Sequence, residues 1–120
     1  MSISFGCSSY TSASIYSAPQ SFNSQTGTSY IPVLADAGKM IMLSNADPVT
    51  LTVSADADVM FDIGTRIDLL QFGAGQVFIT GDSGVTVVGT PSLQLRAQFS
   101  AATLIKINSD SWLLVGDMEA

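Results

Sequence analysis

Few residues in this 120-residue chain could do chemistry. It has no histidine and a single cysteine, Cys7. Without an imidazole there is no Ser-His-Asp or Cys-His nucleophile, and most transition-metal sites lose their usual ligand. Cys7 sits in a polar segment with no base beside it, so its thiol reads as ordinary. Asp56, Asp58 and Asp62 are close enough in sequence to offer oxygens to calcium. An EF-hand loop also needs a central Gly and a final Glu, and only the Asp56/Asp58 pair fits, so a solvated acidic loop is the simpler reading. Gly73-Ala74-Gly75 opens like a dinucleotide fingerprint. Its third glycine is replaced by Phe78, and a strand pattern follows instead of a helix whose N-terminus could hold phosphate. Arg66 and Asp68 share one face of a strand, which reads as a solvated or interfacial ion pair. The remaining Asp residues fall mostly in turns, where they bond their own backbone; they do not form the facing carboxylates of a glycosidase. Trp112, flanked by apolar residues, reads as core or subunit interface. The expectation is a protein that is not an enzyme and uses no cofactor or metal.

Composition narrows the partners. The net charge is -6, and the four basic residues, Lys39, Arg66, Arg96 and Lys106, are scattered. A nucleic-acid surface would be basic, so none is expected. No run approaches the roughly 20 apolar residues of a spanning helix, and the N-terminus lacks the pattern of a secretory signal. Cytoplasmic synthesis fits. One cysteine excludes an internal disulfide framework. Charged residues make up 12% of the chain and hydrophobic ones 47%, against about 25% charged in an average soluble domain. A chain so poor in charge is expected to lose surface to a partner. Met40-Ile41-Met42-Leu43 and Trp112-Leu113-Leu114-Val115 are apolar on both strand faces, where a strand with one wet face would alternate. Met40, Met42, Trp112 and Leu114 are therefore candidates for core or subunit interface.

The positioning elements read as strands. Between Gly64 and Gly89, three alternating runs (Ile67/Leu69, Val77/Ile79 and Val85/Val87) sit between glycine turns, which suggests a three-stranded β-meander. Val49-Thr50-Leu51-Thr52-Val53 and Leu93-Gln94-Leu95-Arg96 alternate too. Thr103 to Ile107 and Trp112 to Val115 close the chain around an Asn108-Ser109-Asp110-Ser111 turn. Strand signals every 8 to 12 residues or so indicate an all-β fold, a compact antiparallel β-sandwich or barrel over residues 30–120. Residues 1–29 differ. Ten of them are Ser, and no charged residue precedes Asp36. This segment is expected to be an extended N-terminal arm. Its aromatics, Phe5, Tyr10, Tyr16 and Phe22, with Tyr30 just beyond, would contact a partner.

An ordered set of motifs carries a resemblance. It runs Phe61-Asp62-Ile63-Gly64-Thr65-Arg66-Ile67-Asp68, Gln71-Phe72-Gly73-Ala74-Gly75-Gln76-Val77 and Gly84-Val85-Thr86-Val87. It continues with residues 95–106 and ends on Trp112-Leu113-Leu114-Val115-Gly116-Asp117. This set resembles a module found near the C-termini of tailed-bacteriophage fibre, spike and other surface proteins, and it covers roughly residues 31 to 118. The resemblance implies a virion protein that forms homotrimers, with no catalytic residue to carry over. With the module behind a 30-residue arm, it favours a capsid decoration (cement) or head-fibre protein. The arm would then dock on the major capsid protein or another virion component. The alternative is a tail-fibre module recognising host-surface glycan through turns such as residues 81–84 or 108–111.

Overall fold

A computed structural model describes residues 19–120. Those residues are all-β. The strands are β1 (Phe22–Gln25), β2 (Ser29–Tyr30), β3 (Met40–Leu43), β4 (Val49–Val53), β5 (Arg66–Gln71), β6 (Val77–Gly81), β7 (Thr86–Gly89), β8 (Ala101–Asn108) and β9 (Ser111–Gly116). A 3-10 turn, Leu34–Asp36, lies between β2 and β3. Six strands form one sheet in the order β1-β3-β5-β8-β9-β7, and three form a second in the order β2-β4-β6.

The chain coils. Each of β1, β3 and β5 leaves the six-stranded sheet through a short turn and continues as β2, β4 or β6 in the other sheet. Each new coil then lies parallel to the one before: β1 beside β3, β3 beside β5, β2 beside β4 and β4 beside β6. The result is a solenoid-like arrangement. In the β8–β9 hairpin, β8 pairs antiparallel with β5 and β9 with β8, and β7 pairs parallel with β9. The all-β expectation stands, but the antiparallel one is corrected, since five of these seven strand pairs are parallel. The expected meander is not formed either. Its first and third runs belong to the six-stranded sheet and its second to the three-stranded sheet. Alternation shows which side of a strand is buried, and it carries nothing about which strand lies alongside. The Phe72–Gln76 turn rounds a corner into the other sheet; it does not reverse the chain into a hairpin.

Close stacking of the corners makes the coil possible. The backbone N–H of Gly75 donates to the Asn45 carbonyl of the preceding coil at 2.8 Å. The Asn45 side chain in turn donates to the Thr26 carbonyl of the coil before that. A Cβ on Gly73 would lie 2.5 Å from the Asn45 backbone, and one on Gly75 would lie 1.8 Å from the Asp47 carbonyl oxygen. Only glycine lets the turns approach this closely. The Gly73-Ala74-Gly75 pattern is therefore a stacking device.

Inward side chains from both sheets share one core: Ile41, Leu43, Ile67, Leu69, Leu104 and Leu114 from one, Val49, Leu51, Val53, Val77 and Ile79 from the other. Leu95, bridged to Met118, is buried with them, and Phe61 meets Trp112 edge to face at 5.4 Å. The first coil closes this core with polar groups. Asn23, Gln25 and Tyr30 take the places that apolar residues hold in the next coil. Buried Asp36 accepts from the Tyr30 hydroxyl at 2.6 Å, from Asn23 Nδ2 at 2.8 Å and from the Val33 N–H at 2.9 Å. Burial, then the hydrogen bond to Asp36, pushes the Tyr30 hydroxyl up to about 12, so it remains a donor.

One boundary shifts as a result. Residues 22–29, expected in the arm, take in β1 and the start of β2. β2 ends at Tyr30, and the 3-10 turn follows. The stacked corners also set an expectation for stability. Gly75→Ala should destabilise the fold by about 3 kcal/mol or more, because backbone must move to admit the methyl group. Ala74→Ser, exposed in the same turn, should change it by less than about 0.5 kcal/mol. Urea unfolding of the two variants measures the difference.

Candidate functional site

The outward residues of the two sheets differ sharply. On the three-stranded sheet they are Ser29, Thr50, Thr52, Phe78 and Thr80, mostly hydroxyl-bearing and suited to water. On the six-stranded sheet they are long and apolar. Strand register sets them in rows. Phe22, Met40, Asp68, Thr103 and Val115 form one row across five strands. Ser24, Met42, Leu70 and Ala101 form a second, and Arg66, Ile105, Leu113 and Val88 a third. Phe22, Val88 and Val115 are exposed, while Met40, Met42, Leu70, Ile105 and Leu113 are half-buried by one another. Among the described residues only the Gln20 side chain reaches over this face, to Asp68.

Of the chain's ten acidic residues, only Asp68 points outward from the strands of this sheet, and only Arg66 of the four basic ones does. The rows are therefore almost free of charge, and the two charges they carry cancel. Asp68 accepts from Thr103 Oγ1 at 2.6 Å and from Gln20 Nε2 at 2.7 Å. The expected Arg66–Asp68 ion pair is not formed, and Arg66 makes no ion pair among the described residues. Small side chains interrupt the apolar field at Ala101, Thr103 and Gly116. Beside them a hollow of about 350 Å³ opens, lined also by Met40, Asp68 and Val115. Gly116 cannot be larger, since its φ is 149° and a Cβ would lie 2.5 Å from the Ala101 carbonyl oxygen.

Two phenyl rings stand beyond the end of β5. Phe72 continues the outward parity of Leu70, and its N–H extends the ladder to the Leu43 carbonyl. Its ring meets that of Phe99 edge to face at 5.9 Å. Phe99 is 65% exposed and has a φ of 71°, unusual for a bulky residue. That conformation is held by its N–H donating to the Gln71 carbonyl at 2.6 Å and by Gln98 Nε2 donating to the Phe72 carbonyl at 3.1 Å.

The candidate residues from the sequence divide accordingly. Trp112 and Leu114 are core; Met40 and Met42 lie on the outer face. Phe22 is also on that face, and Tyr30 is in the polar cap; Phe5, Tyr10, Tyr16 and Cys7 lie outside the described residues. Sequence reasoning missed the Phe72–Phe99 pair, whose only trace is two aromatics beside turn residues. It also missed Lys106, which is 2% exposed. The Lys106 ammonium donates to Asp56 Oδ1 at 2.6 Å and to the Phe61 carbonyl at 2.6 Å, tying the 55–61 loop to β8. Asp56, expected in a solvated loop, is thus the half-buried partner of a buried lysine, and it also accepts from the Asp110 N–H. Among the described residues no group of three or more His, Cys, Asp or Glu could hold a metal ion, and no helix is long and apolar enough to cross a membrane. The turns at residues 81–84 and 108–111 lie side by side, joined by the Thr86 N–H donating to the Asp110 carbonyl.

No protein-family model matches the chain, and no curated protein matches it.

Two outcomes follow from this geometry. Leu104→Ala, facing inward, should cost about 2–5 kcal/mol, whereas Leu113→Gln on the outer face should leave the folded chain nearly as stable and more soluble; chemical denaturation and a solubility assay compare them. The Lys106 hydrogen bond, helped by the Asp110 N–H, holds the Asp56 carboxyl below the usual carboxylate range. A carboxyl with a lowered folded-state pKa contributes stability above its unfolded value, about 3.9, and loses it as pH falls through the folded value. The melting temperature should therefore drop in acid below about pH 4, and less steeply in Asp56→Asn.

Proposed function

We propose that this chain is a non-enzymatic virion structural protein of a tailed bacteriophage, a capsid decoration or head-fibre protein that works as a homotrimer. The outer face of the six-stranded sheet carries this reading. A face of long apolar side chains, nearly empty of charge, has the composition of the buried centre of a permanent subunit interface. The same chain clothes its other sheet in threonine, so the contrast is not a general shortage of polar residues. The motif set that resembles phage surface modules supplies the virion assignment. Several of its residues hold the fold together: Gly73 and Gly75 in the stacked corners, Phe61 and Trp112 in the core. The leading segment, residues 1–18, would reach the major capsid protein or another virion component. Three such arms on one trimer would convert weak contacts into lasting attachment.

Light scattering of the purified chain at micromolar concentration should give the mass of three copies. A clean monomer would remove the assembly reading. Deleting residues 1–18, which leaves β1 and β2 intact, should keep the trimer and abolish decoration of particles. Binding of the free protein to host-surface glycan would favour the tail-fibre alternative.

A further inference from the structure

We infer that the Phe72–Phe99 pair of one copy inserts into the Met40/Asp68/Ala101/Thr103/Val115/Gly116 hollow of the next copy. This inference rests on the assembly reading above and names the contact that anchors it. Four observations point to a second copy of this chain as the occupant.

The first is size. An apolar cavity of about 150 Å³ accepts benzene. The hollow, at about 350 Å³, has room for a phenyl ring and part of its neighbour. The second is that knob and hollow belong to one continuous face. The rings extend the outward parity of β5 beyond Leu70, and the hollow lies across β3, β5, β8 and β9. The third is charge. The chain as a whole is at -6, which would oppose self-association. This face excludes that charge, and the Arg66 and Asp68 it keeps are opposite, so a second copy brings each a complementary partner. The fourth is backbone. A bulky residue at positive φ is held there only when its surroundings over-determine it, and such positions cluster at ligand clamps and binding sites. Here the Gln71 and Gln98 hydrogen bonds hold the Phe99 backbone at that φ, with its ring exposed.

Each copy carries both a knob and a hollow. A knob-to-hollow contact is reciprocal in a two-fold pair and heterologous in a ring, and a ring closes when the rotation between copies fits. Three copies at equal rotation would leave no knob outside and no hollow open. A buried aromatic in a desolvated pocket is the residue type that dominates interface energetics, and its neighbours mainly exclude water.

The test uses the full chain. Sedimentation or light scattering across a dilution series gives the strength of assembly for the wild type, Phe99→Ala and Ala101→Trp. Phe99→Ala removes the knob and Ala101→Trp fills the hollow; each should weaken assembly by at least about 30-fold. Circular dichroism of the diluted chains should match the wild type. In a Cys7→Ser background, Phe99→Cys chains mixed with Thr103→Cys chains should form disulfides between copies on oxidation. Phe78→Cys, on the threonine-rich sheet, should not form them with Thr103→Cys. If the wild type assembles and either Phe99→Ala or Ala101→Trp binds as tightly as the wild type, or no Phe99→Cys/Thr103→Cys link forms, the inserted rings are overturned and the assembly reading stands. If the wild type is solitary at every concentration, that reading and this inference fall together. The wild-type measurement alone tells the two cases apart.

Discussion

Successive coils of this protein touch backbone to backbone at their corners, and the other features follow from that contact. Gly73 and Gly75 let the third coil's turn rest on Asn45 and Asp47 of the second, at distances no Cβ would tolerate. Asn45 in turn reaches Thr26 of the first. This stacking sets the coils one strand spacing apart and in phase. Parallel strands in phase bring like positions side by side, so Ile41 meets Leu69 across the inner face and Met42 meets Leu70 across the outer one. The apolar rows on the outside are thus as much a product of the corners as the core is.

The first described coil and the interior both hold polar groups that need partners. In the first coil, Asn23, Gln25, Tyr30 and Asp36 satisfy one another where the apolar core stops. Inside, the single buried lysine finds a carboxylate and a carbonyl, and the 55–61 loop is pinned to β8. Burying an unpaired charge would cost far more than either network gains. Both networks therefore specify position more than they add stability. The hairpin β8–β9 ends the run of parallel additions to the six-stranded sheet by pairing antiparallel with β5.

The two sheets then present two kinds of surface to the outside. The threonine-clad face of the three-stranded sheet is at ease in water. The face of the six-stranded sheet carries Met, Leu, Ile and Val in register, with a hollow where Ala101, Thr103 and Gly116 are small and the Phe72 and Phe99 rings standing beyond the end of β5. Low charge across the whole chain, the first oddity of its composition, is concentrated here as a sheet face nearly without charge.

Much of this is legible in the amino-acid sequence. Alternation assigns Ile67, Leu69, Val77, Ile79, Val49, Leu51 and Val53 to the interior, and the Gly and Asn/Asp/Ser clusters mark the turns. Runs apolar on both sides mark strands with something to hide on their outer face. Alternation is local to one strand, and it is blind to which strand lies alongside and in which direction. Whether the Phe72–Gln76 turn reverses the chain or carries it round a corner depends on the backbone of the neighbouring coil, which the sequence does not display. The same limit hides the place of residues 22–30. A short strand of polar residues is stable only when the coil beneath it supplies a ladder and Asp36 supplies a partner. Lys106 shows it most plainly, for a lysine can be buried only where an aspartate fifty residues away in sequence has been brought within hydrogen-bonding reach.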